Sequence, residues 1–314
     1  MTEDRGAAIE AAGLTRSFGR LMAVTGLDLL VRPGEVFGFV GPDGAGKTTA
    51  IRMLVGILRP SSGWARVAGH DVIEEPGQVR ARIGYMAQRF NLYGDLTVAE
   101  NLSFFGDLFR VPRGARRARE DRLLEFAHLT EFRKRRAARL SGGMQKKLAL
   151  ACSLIHEPGI VFLDEPTTGV DPVSRREFWD IIAELHLRGT TVVVSTPYMD
   201  EAERCSRVGF MYRGRLAVCA TPESIKGMLT GDLFELRTGA LRHAQQVVQH
   251  IEGVHEVQTY GDLLHVFVDD AAVRERLLLA ELEAAGLDVL GLRRIRPRME
   301  EAFVSLIRRQ MSAE

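Results

Sequence analysis

The sequence predicts an α/β core followed by a smaller α+β domain, and two observations carry that prediction. Short, continuous apolar runs at residues 160–163 and 191–194 are typical of strands covered on both faces. Beyond residue 230, strand and helix patterns follow the order βαββαβ, which indicates a ferredoxin-like α+β domain. We therefore expect two domains, residues 1–229 and residues 230–314.

In the first half, residues 27–31 and 36–40 flank the turn Arg32-Pro33-Gly34-Glu35, a pattern that predicts a β-hairpin. A helical pattern follows over residues 49–58. Residues 90–140 are rich in Leu, Phe and Arg at helical spacing, which predicts a helical insertion into the α/β core.

In the second half, the patterns are strand-like or helical over short segments that account for most of the domain. We expect strands at 233–237, 254–260, 263–268 and 289–295, and helices at 241–251, 271–285 and 299–309. This part of the sequence carries no glycine-rich loop, metal-ligand cluster or catalytic pair.

The composition narrows the possible functions. The 314 residues carry 42 Lys+Arg against 41 Asp+Glu, a net charge of +1 that gives no general reason to expect a nucleic-acid partner. The polar start of the sequence predicts no signal peptide, and no apolar run approaches the roughly 18–20 residues of a membrane span. The three cysteines form no C-x-x-C pair, so we expect neither disulfides nor a zinc site.

The segment from Gly41 to Thr49 matches the phosphate-binding pattern G-x-x-x-x-G-K-[ST], between a predicted strand and a predicted helix. Its glycines let backbone N–H groups surround a phosphate, and the helix N-terminus adds partial positive charge. Lys47 is placed to reach the β- and γ-phosphates, and the Thr48 hydroxyl to ligate Mg²⁺. The candidate phosphate-binding residues are Gly41, Asp43, Gly44, Ala45, Gly46, Lys47, Thr48 and Thr49.

Two acidic residues follow the predicted strand at 160–163. Asp164 falls at the carboxyl end of this strand, where α/β ligand sites lie, and there it can hold Mg²⁺. The adjacent Glu165 can polarise a water for in-line attack on the γ-phosphate. An Asp-Glu pair alone is weak evidence, but together with the loop at 41–48 it predicts nucleotide hydrolysis.

Four further motifs carry a family resemblance, in the expected order along residues 9–229. Leu140-Ser141-Gly142-Gly143-Met144-Gln145 resembles the signature of the ATP-binding cassette (ABC) ATPases. The segment from Glu165 to Pro172 is similar to the family's D-loop, with Asp171 as its carboxylate. Gln88 matches the Q-loop glutamine, and Phe18 the aromatic residue that stacks on adenine.

The resemblance implies a P-loop ABC ATPase core with a mixed sheet, an antiparallel β subdomain and a helical subdomain near residues 90–150. It implies ATP and Mg²⁺ as ligands, with Lys47, Gln88 and Glu165 as catalytic residues. Thr48, Gln88 and Asp164 would hold the metal. Phe18, Ser141, Gly142, Gly143 and Asp171 would contact nucleotide, with the signature serving the site of a second cassette.

The resemblance also implies partners and a location. A separate transmembrane permease would dock on an apolar groove near residues 90–93 and 104–105, at the cytoplasmic face of the inner or plasma membrane. The C-terminal domain, with its closing segment at residues 296–303, is similar to the accessory domain of drug- and antibiotic-exporter ATPases. Its role could be dimer stabilisation, regulation or capping.

Pro197 departs from the family pattern, because it stands where most members carry a histidine that contacts the γ-phosphate. Proline has no side-chain donor and no backbone N–H. One interpretation is that it only starts a helix over residues 198–205, as Pro at the first helical position does. The other is that the site hydrolyses ATP slowly, as half of a homodimer or beside a histidine-bearing cassette.

Three function classes therefore stay open. The first is the ATP-hydrolysing subunit of an ABC exporter. The second is a non-transport ABC protein acting on ribosomes or DNA. The third is an ATP-gated interaction module with little hydrolysis.

Overall fold

The computed structural model describes residues 6–89, 92–229 and 231–313, with side chains to residue 307. The chain divides into two compact units, Met1–Pro222 and Glu223–Glu314. This division falls slightly upstream of the boundary that the sequence predicts at residue 229. The short helix that spans it begins in one unit and ends in the other.

The first unit contains most of the helices and strands, and the last helix of the series crosses into the second unit. In chain order they are β1 (Ile9–Phe18), β2 (Leu21–Val31), β3 (Val36–Val40), α1 (Lys47–Leu54), β4 (Ser62–Val67), β5 (His70–Asp71), α2 (Pro76–Arg82), β6 (Ile83–Met86), α3 (Val98–Leu108), α4 (Arg113–Phe126), α5 (Gly142–Leu154), β7 (Ile160–Asp164), α6 (Pro172–Leu187), β8 (Thr191–Thr196), α7 (Met199–Ala202), β9 (Arg207–Tyr212), β10 (Arg215–Ala220) and α8 (Pro222–Lys226).

A six-stranded mixed sheet forms the centre of this unit, in the order β10-β9-β3-β8-β7-β6. All its neighbouring strands are parallel except β10, which pairs antiparallel with β9 at one edge. Every residue of β3, β7 and β8 is buried, as their continuous apolar sequences predict. The carboxyl ends of these three adjacent strands meet at one edge of the sheet.

A second, antiparallel sheet has the order β2-β1-β4-β5. The predicted hairpin between β2 and β3 is therefore wrong, because the two strands belong to different sheets. The burial patterns give the reason: β2 buries Leu29 and Val31 but exposes Leu30, whereas β3 is buried on both faces. The turn between them, closed by the Glu35 N–H donating to the Arg32 carbonyl (3.2 Å), joins the two sheets.

The helical subdomain consists of α3, α4 and α5, with two short 3₁₀ turns before α5. A capping box fixes the start of α3: the Glu100 N–H donates to the Thr97 hydroxyl, and the Thr97 N–H donates to the Glu100 carboxylate. Leu102, Leu124 and Leu148, one from each helix, are fully buried in its shared core. The family fold expected from the sequence, with mixed sheet, antiparallel sheet and helical subdomain, is confirmed.

The second unit has the predicted βαββαβ order. Its elements are β11 (Asp232–Thr238), α9 (Leu241–Val248), β12 (Val254–Tyr260), β13 (Leu263–Val268), α10 (Ala271–Ala284), β14 (Val289–Ile295) and α11 (Met299–Ala313). The strands form an antiparallel sheet in the order β12-β13-β11-β14, which is the ferredoxin-like arrangement. Phe234, Val248, Val266 and Leu278 lie in its core with α9 and α10.

In the ranges that the structure describes, no helix is long and apolar enough to cross a membrane.

Candidate functional site

The phosphate loop connects β3 to α1, which begins at Lys47, two residues before the predicted start. Gly46 has φ +102°, and a Cβ there would lie 2.4 Å from the Ala23 carbonyl oxygen. Only glycine fits this combination of left-handed backbone and close approach. The loop therefore curls in front of the α1 N-terminus, where free N–H groups favour an anion.

Lys47 is the cation of this loop. Its ammonium donates to the carbonyl oxygens of Gly41 (2.8 Å) and Pro42 (3.0 Å), and lies 3.5 Å from Glu165 Oε1. Its side chain is only 3% exposed. The other predicted phosphate-binding residues lie in the same loop or the first turn of α1: Gly41 and Ala45 buried, Asp43 and Gly44 exposed, Thr48 and Thr49 half-buried.

Asp164, the last residue of β7, is fully buried. Its Oδ1 accepts hydrogen bonds from the Thr48 hydroxyl (2.9 Å) and the Ser195 hydroxyl (2.7 Å). Its Oδ2 has no hydrogen-bond partner among the described residues. A buried carboxylate oxygen without a donor, beside a threonine hydroxyl, is a set of hard oxygen ligands that fits Mg²⁺.

Glu165 follows in a left-handed conformation, with φ +47°, and is 6% exposed. Its Oε2 accepts from Gln88 Nε2 (2.8 Å) and from the Thr168 hydroxyl (3.3 Å). Its backbone N–H donates to the Ser195 hydroxyl (2.9 Å). The three residues expected to be catalytic, Lys47, Gln88 and Glu165, thus form one contiguous cluster.

Lys146 adds a second cation near this cluster. Its ammonium donates to the Gln88 carbonyl oxygen (3.0 Å), which joins α5 to the segment after β6. Burial lowers the pKa of Lys146, while the negative charges of Asp164 and Glu165 act in the opposite direction. The sequence did not identify Lys146, Ser195 or Thr168 as residues of the site. The only indication in the sequence is that each of them lies next to a recognised motif.

The signature residues lie at the start of α5. Ser141 is the N-cap and its hydroxyl accepts from the Met144 N–H (3.3 Å), Gly142 is the first helical residue, and Gly143 is buried. Among the described residues, no hydrogen bond or ion pair joins these three to the phosphate loop. The structure therefore does not bring the signature and the loop together within one chain.

Asp171 caps α6, accepting from the N–H groups of Val173 (3.1 Å) and Ser174 (2.9 Å). Hydrogen bonds from Ser174, with a smaller contribution from Val173, hold the pKa of Asp171 below its usual value. Ser174 also faces Gly143, where an added Cβ would lie 2.6 Å from the serine side chain. The D-loop carboxylate and the signature therefore meet through one serine.

Phe18 is the last residue of β1 and 46% of its surface is exposed. The Arg16 guanidinium lies 4.6 Å from its ring centroid. An exposed ring of this kind is available for stacking on a flat base.

Pro197 is half-buried and lies between β8 and α7. The predicted helix over residues 198–205 is wrong in its bounds, because α7 covers only Met199–Ala202 and Tyr198 is its N-cap. Pro197 therefore stands outside the helix and not at its first position. The expectation that Pro197 is the first residue of this helix is accordingly wrong, whereas the interpretation that Glu165 and Gln88 carry the chemistry without a donor at position 197 stays a prediction.

The strand–loop–helix carrying Lys47, with Asp164 and Glu165 beside it, defines a P-loop nucleotide triphosphatase. Residues 24–168 match the sequence model of the family described as ABC transporter. With the full-length similarities described next, this match shows that the chain belongs to the ABC transporter family.

Two relatives illustrate the similarity. The daunorubicin resistance ATP-binding protein DrrA2 of Streptomyces coeruleorubidus is 37% identical over 308 residues, which are 96% of this chain and 95% of that protein. The probable multidrug ABC transporter ATP-binding protein YbhF of Escherichia coli is 46% identical over 224 residues. Those residues are 71% of this chain but only 39% of YbhF, so the chain matches less than half of that relative.

Solved structures agree with this assignment. The chain superposes on cbiO1 from Clostridium perfringens with a TM-score of 0.65 and 26% identity, over 71% of this chain and 92% of that one. It also superposes on an ATP-binding cassette solved as a post-hydrolysis dimer with ADP and Pi, with a TM-score of 0.62 and 26% identity, over 68% and 98% of the two chains. The chain is therefore a member of the ABC transporter family, and one of the similar cassettes was solved as a dimer.

Proposed function

We propose that this subunit energises the export of drug- or antibiotic-like compounds by a separate permease, and that its own site hydrolyses ATP slowly. The observation that carries the proposal is a complete cluster of Lys47, Gln88, Asp164 and Glu165 beside a proline at position 197. Resistance and multidrug transport are functions named for relatives of the chain. They support an exporter role at the cytoplasmic face of a membrane.

The residues of the cluster divide the chemistry among them. Lys47 and the loop N–H groups would bind the β- and γ-phosphates, while Thr48, Asp164 and Gln88 would hold Mg²⁺. The metal, when bound, neutralises charge that develops on the phosphates. Glu165 would accept the proton of the attacking water, and its hydrogen bond with Gln88 fixes the direction of its carboxylate.

Pro197 removes one donor from this site without disturbing the others. A preorganised donor to developing negative charge is typically worth roughly 10²–10³ in rate, and proline supplies none. ATP binding through Lys47 and the loop does not depend on that donor. We therefore expect near-normal nucleotide affinity together with low turnover.

A groove between the end of α3 and residues of or beside α1, α2 and β6 supports a membrane partner. Its volume is about 390 Å³, and it is lined mainly by apolar side chains: Val55, Ile57, Ala81, Ile83, Tyr85, Leu108 and Phe109, with Arg80 at the edge. Ile57 and Leu108 are more than half exposed, which is typical of a binding surface. The groove fits a short amphipathic helix of a permease.

The apolar patch expected from the sequence at residues 90–93 and 104–105 contributes none of the residues that line this groove. Phe90 and Asn91 lie outside the described residues. Tyr93 and Phe104 are exposed and pack edge to face, with ring centroids 4.6 Å apart. They form a separate exposed apolar contact at the helical subdomain, distinct from the residues that line the groove.

The slow-site proposal is tested by Pro197→His. We expect turnover to rise by roughly tenfold to a hundredfold, with the KM for ATP changing less than about threefold, because only the transition state gains a donor. Phosphate release by the purified chain measures both constants. Pro222→Ala, at the start of α8 and outside the cluster, is the matched control. Full turnover in the parent, unchanged by histidine, would refute the proposal.

A further inference from the structure

A buried glutamate that follows Pro197 closely along the chain has no role in the chemistry described so far. Glu201 lies on α7 and is 1% exposed. Its Oε2 accepts from the Thr196 hydroxyl (2.6 Å), and its Oε1 accepts from the Thr167 hydroxyl (2.7 Å). Arg175 Nε lies 3.7 Å from the same Oε1 and balances the buried charge.

These bonds fix both neighbours of Pro197. Thr196 precedes Pro197 and Tyr198 follows it. The Thr196 hydroxyl donates to Glu201 and accepts from the Tyr198 N–H (3.0 Å). The Arg175 guanidinium also lies 4.8 Å from the Tyr198 ring. The Thr196 hydroxyl therefore closes the turn at 196–198, and the Glu201 carboxylate holds that hydroxyl in place.

The same carboxylate ties this turn to the segment that carries Glu165. Thr167 lies two residues after Glu165, and both threonines bonded to Glu201 are buried. On the other side, Ser195 bonds to Asp164 and to the Glu165 N–H. Residue 197 thus lies close to two hydrogen-bonded connections, through Ser195 and through Thr196 with Glu201, to the segment that follows β7.

We propose that Glu201 is a positioning residue that fixes the side chain at position 197 relative to Glu165. It does so by closing the 196–198 turn onto Thr167. This inference rests on the proposed function, since it deepens the account of position 197. Its experiment is arranged so that the two can fail separately.

Glu201→Gln is the test variant, because it keeps the size of the side chain. A carboxylate offers two acceptor oxygens to the two threonine hydroxyls, whereas an amide offers one oxygen and an NH₂ group. One threonine loses its acceptor, and Arg175 loses its charge partner. Asp200→Asn removes the neighbouring charge, which pairs with Arg175 but bonds neither threonine, and is the matched control.

The first measurement compares the effect of Pro197→His in three backgrounds: the parent chain, Glu201→Gln and Asp200→Asn. We expect its gain in kcat, about tenfold or more, to fall below about threefold with Glu201→Gln and to persist with Asp200→Asn. The KM for ATP and the thermal unfolding midpoint should change little. An equal gain in all three backgrounds overturns the positioning role, whereas no gain in any background refutes the slow-site proposal instead.

The second measurement does not depend on turnover. In the chain with Pro197, hydrogen exchange of the peptide over residues 195–201 reports the Tyr198 N–H, which is protected by the Thr196 hydroxyl. We expect Glu201→Gln to speed this exchange by about tenfold, and Asp200→Asn to leave it unchanged. Unchanged exchange in Glu201→Gln overturns the proposal. Should Glu201→Gln not fold, Glu201→Asp, which shortens the reach by one methylene, serves in both measurements.

Discussion

At the scale of single residues, the site gives two adjacent carboxylates different surroundings. Asp164 keeps one oxygen free of hydrogen bonds, whereas Glu165 receives bonds from Gln88 and Thr168 on one oxygen. The left-handed φ of Glu165 is costly for a non-glycine residue, and its N–H is held by the Ser195 hydroxyl. The strained backbone of Glu165 thus directs its carboxylate toward Gln88 and Lys47, whereas the free oxygen of Asp164 is available to a metal ion.

The proton-accepting role proposed for Glu165 gives the residue-scale prediction. Glu165→Gln keeps an oxygen that can accept from Gln88 but removes the basic group, so turnover should fall roughly 10²–10⁴-fold with little change in ATP affinity. Phosphate release and nucleotide titration measure the two effects. Glu177→Gln, an exposed glutamate paired with Lys147, is the control. Turnover within about threefold of the parent would show that another group activates the water.

The recognisable part of the site consists of residues whose identity is imposed by the ligand. Lys47, Asp164 and Glu165 could be predicted because phosphate and metal require these residue types at fixed spacing along the chain. Ser195 could not, since its contact with Asp164 depends on the register of β7 against β8, in which the two residues are partners. The Glu201 contacts likewise join segments that are distant in sequence, and no local pattern marks them.

At the scale of elements, the N-termini of α5 and α6 meet, at the signature and at the end of the D-loop segment. Ser141 caps α5 and Asp171 caps α6. Gly143 and Ser174, both in the first turns of their helices, are in close contact. A displacement of one helix start must therefore move the other.

Two adjacent glycines test this contact. A Cβ at Gly143 would lie 2.6 Å from Ser174, whereas one at Gly142 would meet nothing within 4 Å. We expect Gly143→Ala to lower the free energy of unfolding by about 1–3 kcal/mol through overpacking. Gly142→Ala should leave it unchanged or raise it by up to about 1 kcal/mol. Denaturant unfolding of the two variants measures this, and equal stabilities would show that Ser174 moves aside freely.

The α6 cap predicts a pH dependence. Because the pKa of Asp171 in the folded chain lies below its usual value of 3.8, its stabilisation is present above that value and is lost as pH falls through the lowered pKa. Asp171→Asn keeps a good cap but does not titrate. We expect the parent to lose more stability than this variant between about pH 5 and about pH 3, measured by unfolding midpoints. Parallel profiles would mean that the Asp171 charge contributes nothing.

Helices and strands could be predicted from the sequence where burial alone determines the pattern of apolar residues. The continuous apolar sequences of β7 and β8 and the alternating order of the second unit are visible in the sequence. The wrong hairpin shows the limit of this reasoning: a turn signal at 32–35 marks a reversal of the chain but not the sheet to which each strand belongs. The helix at α7 was overextended because its acidic sequence continues the helical pattern beyond Ala202, where the chain turns toward β9.

At the scale of the whole molecule, we infer that one chain carries two halves of a nucleotide site that it does not join. The phosphate loop surrounds Lys47, and the signature caps α5, without a hydrogen bond or ion pair between them among the described residues. A symmetric pair of chains would bring each loop against the partner's signature, in two equivalent sites. A cassette similar to this chain was solved as a dimer with ADP and Pi.

This arrangement predicts that two inactive variants restore each other. Lys47→Ala damages the loop of every site in its homodimer, and Ser141→Arg damages every signature. In the mixed dimer both defects fall on one site, and the other combines an intact loop with an intact signature. An equal mixture should therefore recover roughly a quarter of the turnover, since about half of the dimers hold one of two sites. Phosphate release, measured in the Pro197→His background, tests it. If neither the separate variants nor their mixture hydrolyse ATP, the two sites do not work independently. If Ser141→Arg alone is fully active, the signature does not complete the partner's site.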